Sequence, residues 1–251
     1  MSESSETAGA ESVRGGSAAS KDPLTWRFAG ASETRWLLSQ TKHTLGQARD
    51  GIRQMNQAVT QAWSSVEGIN TLRGSREAAS SGEALRELAE ACESAAQSGR
   101  SIHHHVRQGI EDARTAVVKV SRLESPTRRD EVDRDMLVTR LEHLDERLGS
   151  ALPLVEQSVV ALAGIAEHAR QSTPTQGRDA SLATATLEHR LRASTGAGGV
   201  LRDELARAEQ ASDLARAQAL TISHGVRVRM DAARERAPVP GGPGSAPGVG
   251  R

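Results

Sequence analysis

A chain of 251 residues with 32 basic and 32 acidic side chains carries no net charge, which removes the general electrostatic pull toward nucleic acid or anionic membrane. Tyrosine is absent, aromatics are 2% of the chain and cysteine occurs once, leaving little for a strand-based core and excluding an internal disulfide or a thiolate metal site. Ala, Leu, Arg, Glu and Gln dominate, all good helix formers.

Residues 1–22 are rich in Ser, Gly, Ala and Glu without periodicity and are expected to form a disordered tail. The opening MSESSETAGAESVRGG has no basic patch followed by an apolar core, the pattern a secretory signal requires. A cytoplasmic protein is the expectation, with export lacking a cleaved signal as the alternative. Residues 23–31 form an aromatic arm. Trp26, Phe28 and Trp36 are three of the four aromatic residues, with Trp63 the fourth. Trp26 and Phe28 are expected to precede the first helix, between Pro23 and Gly30, as a lid over the bundle end. The functional alternative is a docking element whose aromatics anchor in a partner's groove.

Four sustained 3-4 apolar patterns follow. Leu38, Leu45, Ile52, Val59 and Val66 recur every seven residues, with Ala48, Met55, Ala62 and Ile69 between them, predicting a helix over 32–73 with Ser32 as N-cap and Gly74 just past its end. The second seam, Leu85 to Leu123, predicts a helix over 82–123 opened by the capping-box spacing of Ser80 to Glu83. The third, Leu137 to Ala169, predicts a helix over 127–171 starting at Ser125-Pro126-Thr127, with Pro153 on an outward position as a local kink. Within it residues 150–166 spread their apolar side chains beyond one stripe, as a segment contacted from two sides or an interface does. The fourth, Leu187 to Val226, predicts a helix over 179–236, broken or hinged at Gly196, Gly198 and Gly199. A phosphate-cradling loop there would need a preceding strand, and none is available. Residues 238–251 are Pro/Gly low complexity and are expected to be flexible. Short connections favour antiparallel neighbours. The fold class is therefore all-α: an elongated antiparallel four-helix bundle, or coiled-coil hairpins, with disordered termini. Many seam positions are Ala, Gly or Ser, which bury little area, so parts of the bundle are expected to be weakly held or completed by a partner.

Chemistry is harder to find. His103, His104 and His105 fan out by about 100° each on a helix and cannot easily share one ion. Cys92 occupies a seam position and reads as a buried small hydrophobe. The stretches 128–131 and 202–204 mix charge signs and read as solvated faces. No Ser-His-Asp, Cys-His or paired-carboxylate arrangement stands out. The expectation is no catalytic residue, no metal and no cofactor. The longest near-continuous apolar run, Val159 to Ala166, is too short to span a bilayer, so stable membrane insertion is not expected.

The plan is similar in kind to bacterial helical-bundle scaffolds and to helical substrates of type VII secretion, which travel without a cleaved signal. Trp63-Ser64-Ser65 departs from the W-x-G turn of the small type VII proteins and lies inside a seam. The leading expectation is a non-enzymatic structural or interaction module whose bundle surface and N-terminal arm bind a protein partner or further copies of the chain, and not nucleic acid. The alternative is a secreted or toxin-associated helical protein of type VII-like or pore-forming kind.

Overall fold

The computed structural model describes residues 23–72, 78–125, 127–172 and 178–236; the side chains of 23–27, 72, 78–81, 178–184 and 197 fall outside that description. The expected tails at 1–22 and 238–251, and the Gly74 and Pro126 end signals, lie outside the described residues. Four α-helices account for nearly all of what is described, with no strand among the described residues: α1 (Pro23–Leu72), α2 (Ala78–Ser121), α3 (Arg128–Gln171) and α4 (Arg178–Arg236). α1 packs on α2, α2 on α3, α3 on α4 and α4 on α1, with no diagonal pair in contact among the described residues. The chain is an all-α antiparallel four-helix bundle of square cross-section. At 1.5 Å per residue its helices run about 65 to 90 Å.

The heptad pattern explains the packing. Every large a and d residue of α1, from Leu38 to Ile69, is buried, as are Leu88 to Leu123 on α2, Leu137 to Ala169 on α3 and Leu187 to Val226 on α4. Small residues widen that stripe. Gly51, Ala58 and Ser65 on α1, and Ala84 and Ala91 on α2, are buried one position beyond the seam. At two small seam positions, Gly99 and Gly109, large side chains of α3 occupy the space the missing side chain leaves. A Cβ on Gly99 would sit 2.6 Å from Val159 Cγ2, and one on Gly109 would sit 3.2 Å from Leu148 Cδ1. Close packing of this kind is what gives a small-residue core its cohesion.

The helix starts differ from expectation. α1 begins at Pro23, nine residues before Ser32, so residues 23–31 are its first turns and not a separate arm. Proline suits a first turn because its missing N–H would be unpaired there anyway. The seam continues upstream through buried Ala31 and Thr34, and Thr34 Oγ1 donates to the Gly30 carbonyl at 2.9 Å. Gly30, expected as a boundary, is where Leu123 from the end of α2 rests against α1. α2 likewise begins at Ala78, ahead of the expected cap.

α3 is capped by Thr127, whose hydroxyl accepts from the Asp130 backbone N–H at 3.2 Å. Pro153 is exposed and the helix continues through it. α4 runs unbroken through Gly196–Gly199. Thr195 Oγ1 donates to the Leu191 carbonyl at 2.9 Å and receives the Trp63 indole N–H at 3.3 Å, tying the start of the glycine segment to α1. Gly198 is buried against Met55 and Asn56, so close approach of α1 is what this glycine permits.

Candidate interaction surface

Cross-helix contacts fix which way each outer column points. Lys42 Nζ meets Asp213 Oδ1 at 2.7 Å, Arg49 meets Glu209 at 3.5 Å, and Asn70 Nδ2 donates to Glu188 Oε1 at 2.6 Å, closing α1 onto α4. Arg114 meets Asp145 at 2.9 Å, His103 Nε2 lies 3.0 Å from Glu156 Oε1, and Arg170 pairs with Glu93, closing α2 onto α3. On the fourth side Arg140 Nη1 donates to the Leu214 carbonyl at 2.8 Å, Arg147 reaches Glu204 at 3.7 Å, and Gln218 Nε2 donates to Asp133 at 3.3 Å.

The resulting faces differ in chemistry. Beside α2, α1 exposes Gln40, Gln47, Gln54 and Gln61 at seven-residue spacing, facing solvent alongside Ser94, Ser101, Gln108 and Thr115 of α2. The middle of that wall is polar and uncharged; Glu33 pairs with Lys119 at one end, and at the other the wall opens into a shallow groove lined by Gln61, Ser65, Gly68, Ala84, Glu87, Glu90 and Ala91. The α3–α4 side is apolar. Nine large hydrophobic side chains are exposed among the described residues, and four line this side: Met136 on α3, and Val200, Leu214 and Val228 on α4. The three on α4 sit in one heptad column with Ala193, Arg207 and Thr221, and the matching column of α3 holds Arg129, Met136, His143, Ser150, Gln157 and Gly164. Neither column contains a carboxylate. Trp36, Val118 and Leu220 are scattered over different faces, and Val132 and Val160 point straight out from α3 in one column with Glu146 and Pro153.

The residues singled out from the sequence fall as follows. Trp26 has a side chain outside the described residues. Phe28 is half-buried against the core, as a plug would be, whereas Trp36 is 60% exposed on the outward edge of α1. Phe28 and Trp36 therefore do not converge on one site. Gly196 and Gly199 face open space and Gly198 faces α1. The three adjacent histidines fan out: His103 to α3, His104 to solvent and His105 toward α1. Burial, then the neighbouring His104 and His43, push the His105 pKa below the usual imidazole value. No group of three or more His, Cys, Asp or Glu among the described residues is arranged to hold a metal ion. Cys92 is fully buried, and burial pushes its thiol up to about 12, far from the reactive thiolate range.

Sequence reasoning missed Asp130. In a stretch expected to be a solvated mixed-charge face, its carboxylate is buried and receives Arg229 in a two-pronged pair, Nη1 to Oδ2 at 2.8 Å and Nη2 to Oδ1 at 2.7 Å. Thr127 Oγ1 donates to Oδ2 at 2.7 Å. The signal was the Thr127-x-x-Asp130 spacing, a capping box with Asp in place of Glu.

The apolar segment of α3 is contacted from both sides: Val159 meets Gly99 of α2, while Val155, Leu162 and Ile165 are buried in the core and Val160 points out. Averaged over 18 residues, α3 reaches a mean hydropathy of 1.5 with a third of that window buried. By length and composition it could cross a membrane, a property that counting only uninterrupted apolar residues does not reveal. Comparison with protein-family models, curated proteins and solved structures finds no match to this chain.

Proposed function

We propose that this chain is a non-enzymatic interaction protein that presents the α3–α4 face of its bundle to other proteins. One observation carries the reading: four of the nine exposed large hydrophobic side chains, Met136, Val200, Leu214 and Val228, gather on one of four faces. Scattered apolar residues need no explanation, but a face that collects them and lacks carboxylates along both inner columns is suited to being covered. The polar α1–α2 wall and the ion-paired α2–α3 side carry none of these four side chains.

A photo-crosslinking residue placed at Met136 and, separately, at Gln54, in cells that express the chain, tests this. Protein adducts are expected from Met136 and few from Gln54. Equal yields from the two positions, or none from Met136, would rule out the α3–α4 face as the interaction surface.

A further inference from the structure

We infer that the groove between α1 and α2 receives a short arginine-bearing segment of a partner protein. The site lies apart from the α3–α4 face and stands whether or not that face is covered. Gln54 lies one heptad short of Gln61 and outside the lining, so crosslinks from it remain few.

The groove encloses about 590 Å³ near the α1–α2 connection. Ser65, Ala84 and Ala91 form its buried floor, and Gly68 leaves open space where a Cβ would stand. Glu87 and Glu90 stand exposed on the α2 rim. With Glu83 they recur at i, i+4 and i+7 on one side of the helix. None of the three has a hydrogen-bond or ion-pair partner among the described residues.

Nothing near them on either helix answers that charge. From Gln54 to Leu72 and from Ala78 to Gly99 the chain carries five glutamates and one basic residue, Arg86. Arg86 stands one heptad before Glu93, whose pair with Arg170 turns that column toward α3 and away from the groove. In a chain of zero net charge this is a local excess of negative potential on a concave surface, which concentrates cations.

The shape narrows the occupant. The lining on α1 runs from Gln61 to Gly68, about 10 Å of helix, which holds a few side chains and not a whole helix. A floor of small residues accepts the aliphatic stem of a long side chain while its charged head stays at the rim. Arginine suits the rim, because its planar guanidinium donates two parallel hydrogen bonds to a carboxylate. A metal ion would need a third ligating group, and none is arranged to supply one among the described residues. An apolar or acidic segment would leave Glu87 and Glu90 desolvated without a counter-charge.

Fluorescence anisotropy of a fluorescein-labelled hexapeptide of alternating arginine and alanine, titrated with the full chain, tests this. Saturable binding is expected, and none for a peptide with glutamine in place of arginine. Glu87→Gln together with Glu90→Gln should weaken binding about tenfold or more. Glu142→Gln, which removes an unpaired carboxylate on α3, should leave it unchanged. Gly68→Leu fills the groove without altering its charge and should weaken binding by a similar factor. Helix content should hold in that variant, because nothing beyond its own turns of helix lies within 4 Å of the new Cβ.

No binding by the parent chain at millimolar peptide overturns the inference, as does binding indifferent to the paired glutamate changes. Binding that survives Gly68→Leu makes exposed charge alone responsible and overturns the groove. Arg73 and Arg76, in the connection outside the described residues, are the chain's own rivals for the site. Replacing both by glutamine should leave the affinity unchanged; a gain of about tenfold gives the groove to the connection and overturns the inference.

Discussion

Asp130 and Arg229 lie 99 positions apart, yet their pair joins the first turn of α3 to the last turns of α4. The Asp130 side chain is 3% exposed, whereas the Lys42–Asp213 pair is 42% and 50% exposed. Burial separates their worth. A buried carboxylate that loses its charge leaves a two-pronged guanidinium short of an acceptor, while an exposed pair trades protein for water at little cost. Asp130→Asn should lower unfolding stability by about 1–3 kcal/mol and Asp213→Asn by under about 1 kcal/mol, measured by urea denaturation. His105 supplies the pH dependence. Its folded pKa lies below the ordinary value of 6.5, so the unfolded chain takes up the proton first. Its contribution to stability is full above that value and is lost as the pH falls through 6.5 toward the folded pKa. The unfolding midpoint should therefore drop between about pH 7.5 and 5.5, and His105→Gln should flatten that drop. An unchanged slope in the variant would remove His105 from the account.

At the scale of the helix, glycine means different things at different places. Gly196 and Gly199 sit in regular helix with open space where a side chain would extend, so Gly196→Ala and Gly199→Ala should each stabilise by roughly 0.5–1 kcal/mol. A loss of stability on either change would show that the segment uses backbone freedom that regular helix does not need. Gly99→Ala should destabilise instead, because Val159 must move from the space the new methyl takes. Thermal unfolding separates the two classes. The sequence could not tell these glycines apart: a run of three reads as a break when only propensity is weighed, and what overrides propensity is a neighbouring helix that the run itself does not encode. The seams were legible because seven-residue spacing from Leu38 to Val66, or from Leu137 to Ala169, has few other physical meanings. The ends of the helices were less so. Ser32 resembled a cap, but buried Ala31 and Thr34 carry the seam past it to Pro23.

Over the whole molecule, the fold class follows from the four seams and their short connections, while the site depends on how the seams are turned relative to one another. The columns themselves are visible in the chain, as Gln40, Gln47, Gln54 and Gln61 are, or Val200, Leu214 and Val228. Which column stands beside which is decided by pairs such as Arg140 with Leu214, whose members are 74 positions apart. Trp26, Phe28 and Trp36 stand out by their rarity in the chain, and helical geometry sends Phe28 and Trp36 to different sides of α1. The apolar face is hard to see in the sequence because its members arrive singly, on two helices running in opposite directions.

The contacts run in a closed ring, α1 to α2 to α3 to α4 and back to α1. Lys42 with Asp213 and Arg49 with Glu209 put the beginning of α1 level with the end of α4, so Pro23 and Arg236 emerge at the same end of the bundle. A chain joined there by a short linker, and opened at 122–127 instead, would keep every pair of neighbours and every seam. The opening would fall between α2 and α3, away from the α3–α4 face, and α3 would become the first helix made. In this architecture the cyclic order of the helices, and not the place of the opening, carries the packing.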